Sequence, residues 1–217
     1  VFTFNPFQEN TYLLFDETNE AIVVDPGMYD RAEEATLFNT IKRHGLQLKA
    51  VVNTHAHIDH VFGVAACVEK FGVPFYLHKS DLPTMSGSVK AAAMYGLDLQ
   101  PVPSPTHWLK EGELVKFGNT ELEIRFCPGH APGHVVLVSH FQQIVIGGDV
   151  LFKESVGRVD LPGGDGPELD RSIRSQLYTL EDTYQVYPGH GPSTTIGYEK
   201  KHNSFVSETE SRLLESE

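Results

Sequence analysis

Six consecutive residues, His55-Ala56-His57-Ile58-Asp59-His60, restrict what this chain can fold into more than any other feature. They follow an apolar run, Leu48-Lys49-Ala50-Val51-Val52-Asn53, that reads as a buried strand. They precede Val61 to Phe71, whose apolar spacing predicts one helix stopped by Gly72. The four metal-binding side chains are therefore expected on the loop between a strand's C-terminal end and a helix's N-terminus. His55 and His57 are two apart, so an extended backbone aims both rings the same way. Asp59 and His60 are adjacent and must diverge, which suits two ions better than one. One would take His55 and His57, the other Asp59 and His60.

Three later stretches share the context of a strand end followed by a Gly- or Pro-punctuated turn. They are Cys127-Pro128-Gly129-His130, Gly147-Gly148-Asp149 and Pro188-Gly189-His190-Gly191. Singly, each reads as an ordinary turn; behind a four-donor motif, each reads as a ligand. Three histidines for one ion, an Asp-His-His set for the other and a shared aspartate give two near-complete shells with room for water. A non-catalytic binding module stabilised by metal needs only one closed site of about four ligands. It therefore stands as a distant third reading. No Gly-x-Ser-x-Gly elbow occurs, and neither cysteine stands beside a histidine as a nucleophile would.

Composition narrows the partners. The 217 residues suit one domain with a sizeable core, and a single domain over 1–217 is expected. A formal net charge of −12 opposes nucleic-acid binding, which draws its affinity from Lys and Arg at phosphates. No apolar run approaches the ~20 residues that span a bilayer, so no membrane partner is expected. Cys67 and Cys127 lie far apart and in no Cys-x-x-Cys pattern. They read as buried free thiols of a reducing compartment, the cytoplasm.

Along the chain, strands are predicted at 1–4, 10–15 and 20–24, the last ended by the turn Asp25-Pro26-Gly27. A helix follows over 30–43, with His44 closing its last turn where the helix dipole favours it. Another strand covers 73–77 with His78 at its end as a structural residue, and a short Ala-rich helix covers 86–95. The Pro-rich stretch 100–107 reads as the crossing between two halves of one fold. Strands are then predicted at 113–117, 120–126, 135–139, 143–147 and 183–187. A Gly-rich loop covers 150–166, a helix 167–180, and a polar helical tail starts at Ile196.

The donor pattern, with Asn5-Pro6-Phe7-Gln8-Glu9-Asn10-Thr11-Tyr12 before it and Gly189-His190-Gly191-Pro192 at its end, resembles the metallo-β-lactamase superfamily over nearly the whole chain. Within it, Cys127 to His134, Gly148-Asp149-Val150-Leu151-Phe152 and Val156 to Asp160 resemble small glyoxalase II-like (hydroxyacylglutathione) hydrolases. The helical C-terminal domain with which such enzymes contact glutathione is expected to be missing from this chain. The resemblance implies an α/β fold, an αββα four-layer sandwich with two mixed sheets inside and helices outside. It implies two divalent metal ions, zinc first with iron or manganese as alternatives. His55, His57 and His130 hold one; Asp59, His60 and His190 hold the other; Asp149 bridges. His134 then supports a ligand or the fold, Asp59 is catalytic as well as a ligand, and Arg158 is a basic substrate-binding residue. The implied reaction is hydrolysis of a small anionic thioester by a metal-bridging hydroxide. An iron-dependent persulfide dioxygenase, using one iron on His55, His130 and Asp149, is the alternative on the same scaffold.

Overall fold

The computed structural model describes residues 1–214, which group into two compact units. The first, Val1–Leu109 with Val115–Glu121, is built on a six-stranded mixed sheet in sequential order. Its strands are β1 (Phe2–Phe4), β2 (Glu9–Phe15), β3 (Glu20–Val24), β4 (Gln47–Val52), β5 (Phe75–His78) and β6 (His107–Leu109). Pairing is antiparallel from β1 to β3 and parallel from β3 to β6. A parallel pair needs a crossover, and the helices supply it: α1 (Arg31–Arg43), α2 (Ile58–Val61), α3 (Val64–Phe71) and α4 (Leu82–Met94).

Local chemistry accounts for these boundaries. Asp30 caps α1 by accepting the N–H groups of Ala32 and Glu33, and His44 closes it as expected. Leu37 and Ile41 carry its buried stripe into a core with Val23, Val51, Cys67, Phe75 and Leu77. Each such fully buried aliphatic or aromatic side chain contributes about 1.5–3 kcal/mol. Residues 115–121 join this unit through Asp16, whose Oδ2 accepts the N–H of Asn119 at 2.7 Å and the hydroxyl of Thr120 at 3.1 Å.

The second sheet runs in the order β14-β13-β10-β9-β8-β7. These are β7 (Leu114–Phe117), β8 (Thr120–Phe126), β9 (Val135–Ser139), β10 (Ile144–Gly148), β13 (Gln185–Pro188) and β14 (Thr194–Thr195). β10 and β13 are parallel, and the other pairings among β8, β9, β10, β13 and β14 are antiparallel. The second unit, Lys110–Leu114 with residues from Leu122 onward, adds a two-stranded ribbon of β11 (Leu151–Phe152) and β12 (Ser155–Val156). It also holds the helices α5 (Gly166–Ser172) and α6 (Ile196–His202). Its own core gathers Cys127, Val136, Val138, Leu169, Ile173 and Val186. Both cysteines are free and buried, and burial pushes both thiols up.

Four sequence expectations shift. The helix predicted over 61–71 is broken at Gly63, whose N–H donates to Pro26 O at 2.7 Å. A Cβ there would stand 2.8 Å from Pro26 O, so main chain passes too close for any other residue. The Ala-rich helix starts earlier, at Leu82, with Pro83 in its first turn. The Pro-rich stretch does not end the first half, because β6 follows it and pairs with β5. The helix expected over 167–180 runs as α5 and then widens into a π turn over Ile173–Leu177. Among the described residues no helix is long and apolar enough to cross a membrane.

Candidate metal centre

In the first unit the donors stand at the end of β4. His55 and His57 lie on the loop, as expected, but Asp59 and His60 belong to the short helix α2. That single turn makes the two adjacent side chains diverge. Buried Asn53 staples the segment, its side-chain amide donating to His60 O at 2.7 Å and His55 O at 3.4 Å. Beneath it lies Asp25, 1% exposed. Asp25 Oδ1 accepts the N–H of Thr54 at 2.7 Å, and Oδ2 accepts the Thr54 hydroxyl at 2.6 Å.

This arrangement sets the imidazoles. With its hydroxyl donated to Asp25, Thr54 Oγ1 accepts from His55 Nδ1 at 3.1 Å. His60 Nδ1 lies 3.1 Å from Asp25 Oδ2. The His55 ring then carries its proton on Nδ1 and presents the Nε2 lone pair, the state a metal ligand needs, while the Asp25 carboxylate stands beside His60 at ion-pair distance. The His55 ring lies 4.8 Å from that of His57 and 4.1 Å from that of His60, between centroids. Asp59 Oδ2 is 3.6 Å from His60 Nε2. Asp81 Oδ2 accepts the N–H of Ala56 at 2.5 Å and fixes the loop between the two histidines. Glu9 is wholly buried with Oε1 3.9 Å from His60 Nδ1. Burial pushes its carboxyl well above the usual range, with His60 pulling the other way.

Asp25, Glu9 and Asp81 were not legible as parts of this site. Asp25 stood in the sequence as a turn residue, and its partner Thr54 is 29 positions on. Its backbone carries a signal only in three dimensions, a φ of +49° that a non-glycine residue adopts at a cost. Gly27 beside it is required by close approach, since a Cβ would meet Glu9 Oε2 at 2.1 Å and Asp59 O at 2.6 Å.

In the second unit three turns deliver the remaining donors. His130 follows β8, Asp149 follows β10 and His190 follows β13. His130 Nε2 and His190 Nε2 each lie 3.5 Å from the same atom, Asp149 Oδ2. His130 Nδ1 donates to Arg158 O at 2.7 Å, again leaving Nε2 for a ligand role. His134 Nε2 accepts the backbone N–H of Asp149 at 2.9 Å, so this ring braces the turn. The close approach of the two strands of backbone depends on Gly157. A Cβ there would fall 1.9 Å from Asp149 O and 2.9 Å from His130 Nδ1. Arg158 itself is exposed and forks onto Asp160 at 2.6 and 2.7 Å, holding that carboxyl down at about 2.

Imidazole and carboxylate donors of this kind suit zinc, iron or manganese. Nδ1 engagement of the His55 and His130 rings by oxygen acceptors is the outer support that such ligands require. The residues present in each unit fit a divalent ion.

The comparisons with known proteins agree with this chemistry. The family model of the metallo-beta-lactamase superfamily matches residues 4–190, and the chain belongs to that superfamily. Its α/β fold is the fold of that superfamily. The chain is 36% identical over 203 residues to the hydroxyacylglutathione hydrolase GloC of Haemophilus influenzae, covering 93% of this chain and 94% of that protein. Among solved structures it is similar to TTHA1623 in a di-iron-bound form, with TM-score 0.85, 40% identity and coverage of 94% and 98%. The BLEG-1 B3 metallo-beta-lactamase also gives TM-score 0.85, at 34% identity and coverage of 93% and 96%. The class thus defined is that of a metal-binding hydrolase.

Proposed function

We propose that this chain is a glyoxalase II-like thioester hydrolase that uses two divalent ions and acts as one domain. The observation that carries the reading is the backing of the imidazoles: Thr54 Oγ1 at His55 Nδ1, the Arg158 carbonyl at His130 Nδ1, and the Asp25 carboxylate 3.1 Å from His60 Nδ1. In this reading His55, His57 and His130 would hold one ion, Asp59, His60 and His190 the other, and Asp149 would serve both. When bound, the ions supply Lewis acidity toward a carbonyl and acidify water toward neutral pH.

The chain's own groups do the rest. The Asp59 carboxylate orients the attacking water and accepts its proton. As the acyl C–O bond forms and the C–S bond breaks, that proton passes to the departing thiolate sulfur. Arg158 leaves Asp160 to meet a carboxylate of an anionic substrate. The likeness to GloC supports a small thioester, and the two buried thiols fit a cytoplasmic setting. Zinc is the expected metal. The di-iron form of TTHA1623 supports iron on a donor set of this kind, and iron chemistry gives the second reading, a persulfide dioxygenase with one iron on His55, His130 and Asp149.

Zinc-reconstituted protein assayed without oxygen on S-lactoylglutathione separates the two. Thioester cleavage is the expected outcome. Oxygen uptake with glutathione persulfide by iron-loaded protein, and no thioester turnover with either metal, would decide for the dioxygenase.

A further inference from the structure

Glu199 stands on α6 outside the donor set, with no exposed surface. A carboxylate is costly to bury unless its oxygens are well supplied with donors. Oε1 accepts the hydroxyl of Thr194 at 2.5 Å. Oε2 accepts the backbone N–H of Glu154 at 2.9 Å and the side-chain amide of Asn203 at 2.8 Å.

All three donors lead to one place. Thr194 opens β14, just beyond the turn that carries His190. Glu154 lies in the turn between β11 and β12, with a φ of +59° that the carboxylate helps to hold. Phe152, on the other side of that turn, sets its ring 6.1 Å from the His190 imidazole with the planes 79° apart. Asn203 adds a second brace, donating to Ser155 O at 2.9 Å and reaching Phe152 O at 3.5 Å. One buried oxygen pair therefore ties the ribbon that carries Phe152 to the strand that leaves His190. An apolar side chain of similar volume would fill the space more cheaply. What the carboxylate adds is direction.

We propose that Glu199 is a positioning residue for His190, holding Phe152 edge-on against the imidazole and so fixing the angle at which the ring meets Asp149. It touches neither substrate nor metal. The inference rests on the reading of His190 as a ligand given above.

Glu199→Gln tests it, because the neutral amide keeps one acceptor oxygen of two and loses the charge that strengthens all three bonds. Two measurements on chelator-stripped protein apply: zinc titration against a competing chromophoric chelator, and imidazole nitrogen–proton NMR spectra without metal. The zinc step that depends on His190 is the one abolished in His190→Ala. Glu199→Gln should weaken that step roughly 10–100-fold and leave the other unchanged, with His190 showing the largest shift or broadening among the histidine rings. Phe152→Leu should give the same pattern more weakly. If both variants keep wild-type zinc steps and a wild-type His190 spectrum, the role is refuted. Equal weakening of both steps with shifts spread over every histidine also overturns it, as a general loss of structure. Should Glu199→Gln not fold, Phe152→Leu decides by the same readouts. Wild-type protein that binds only one zinc would sink the two-ion reading instead, and the ring spectra then decide the positioning role.

Discussion

In the first unit the four donors fall within six consecutive positions and are held from beneath by side-chain carboxylates, Asp25 under His55 and His60, and Asp81 under Ala56. In the second they are spread from residue 130 to residue 190, with the Arg158 carbonyl holding the His130 ring and the His134 ring holding the Asp149 backbone. The first is a contiguous motif set on buried acids. The second is three turns pressed together where glycine lets backbone approach backbone. The same chemistry can therefore be prepared in two ways, and the two should fail differently when altered.

Removing a donor should do the most damage in either unit. His55→Ala and His130→Ala are expected to lose metal and nearly all activity, well beyond the roughly 10–100-fold that an outer support costs. His134→Ala should retain metal and stay within that smaller range. Metal content and kcat/KM measured side by side check the ranking, and a reversed order of His130 and His134 would exchange their assignments.

The next effect bears on the acid underlay. Asp25→Asn presents an amide where Thr54 and His60 both need an acceptor. Metal affinity should fall roughly 10–100-fold with the ligands themselves intact. Wild-type affinity in a competitive titration would mean that the first unit does not depend on its carboxylate.

Gly157→Ala probes the other style. Its Cβ would stand 1.9 Å from Asp149 O, a clash with main chain that no side-chain rotation relieves. Overpacking of this kind costs about 1–3 kcal/mol, so the urea midpoint should fall and metal content with it. An unchanged midpoint would argue that the second unit yields more readily than its packing implies.

The smallest expected effect concerns what completes the first unit. The hydroxyl of Thr18, followed by N–H groups of Thr18 and Asn119, holds the Asp16 carboxyl down at about 2, against an ordinary 3.8. A folded value below the unfolded one stabilises above the unfolded value and is lost as pH falls through the folded one. The urea midpoints of wild type and Asp16→Asn should thus differ near neutrality and converge as the pH falls toward 2. A gap that persists to low pH would remove Asp16 from the account.

The contrast also explains what the sequence could reveal. The first motif was legible because its donors are neighbours and its flanking elements have clear periodicity. β3 and its turn were legible for the same reason, with Val23 and Val24 in an unbroken apolar run. The carboxylates beneath were not, since Asp25, Glu9 and Asp81 acquire meaning only from distant partners. Gly63 breaking a helix depends on the close main chain of Pro26, which no local pattern encodes. In the second unit each donor turn was ambiguous until the first motif gave it context. The ribbon of β11 and β12 was hidden in a Gly-rich loop because strands of two residues leave no alternation to detect.

The two cysteines give this architecture a further use. Cys67 lies in the core of the first unit and Cys127 in that of the second, each with no accessible surface. A thiol so placed meets an alkylating reagent only when its surroundings open. The chain thus carries an internal clock for each unit. Brief pulses of a thiol label, followed by peptide mass analysis, would time the breathing of each unit separately in a single unmodified protein.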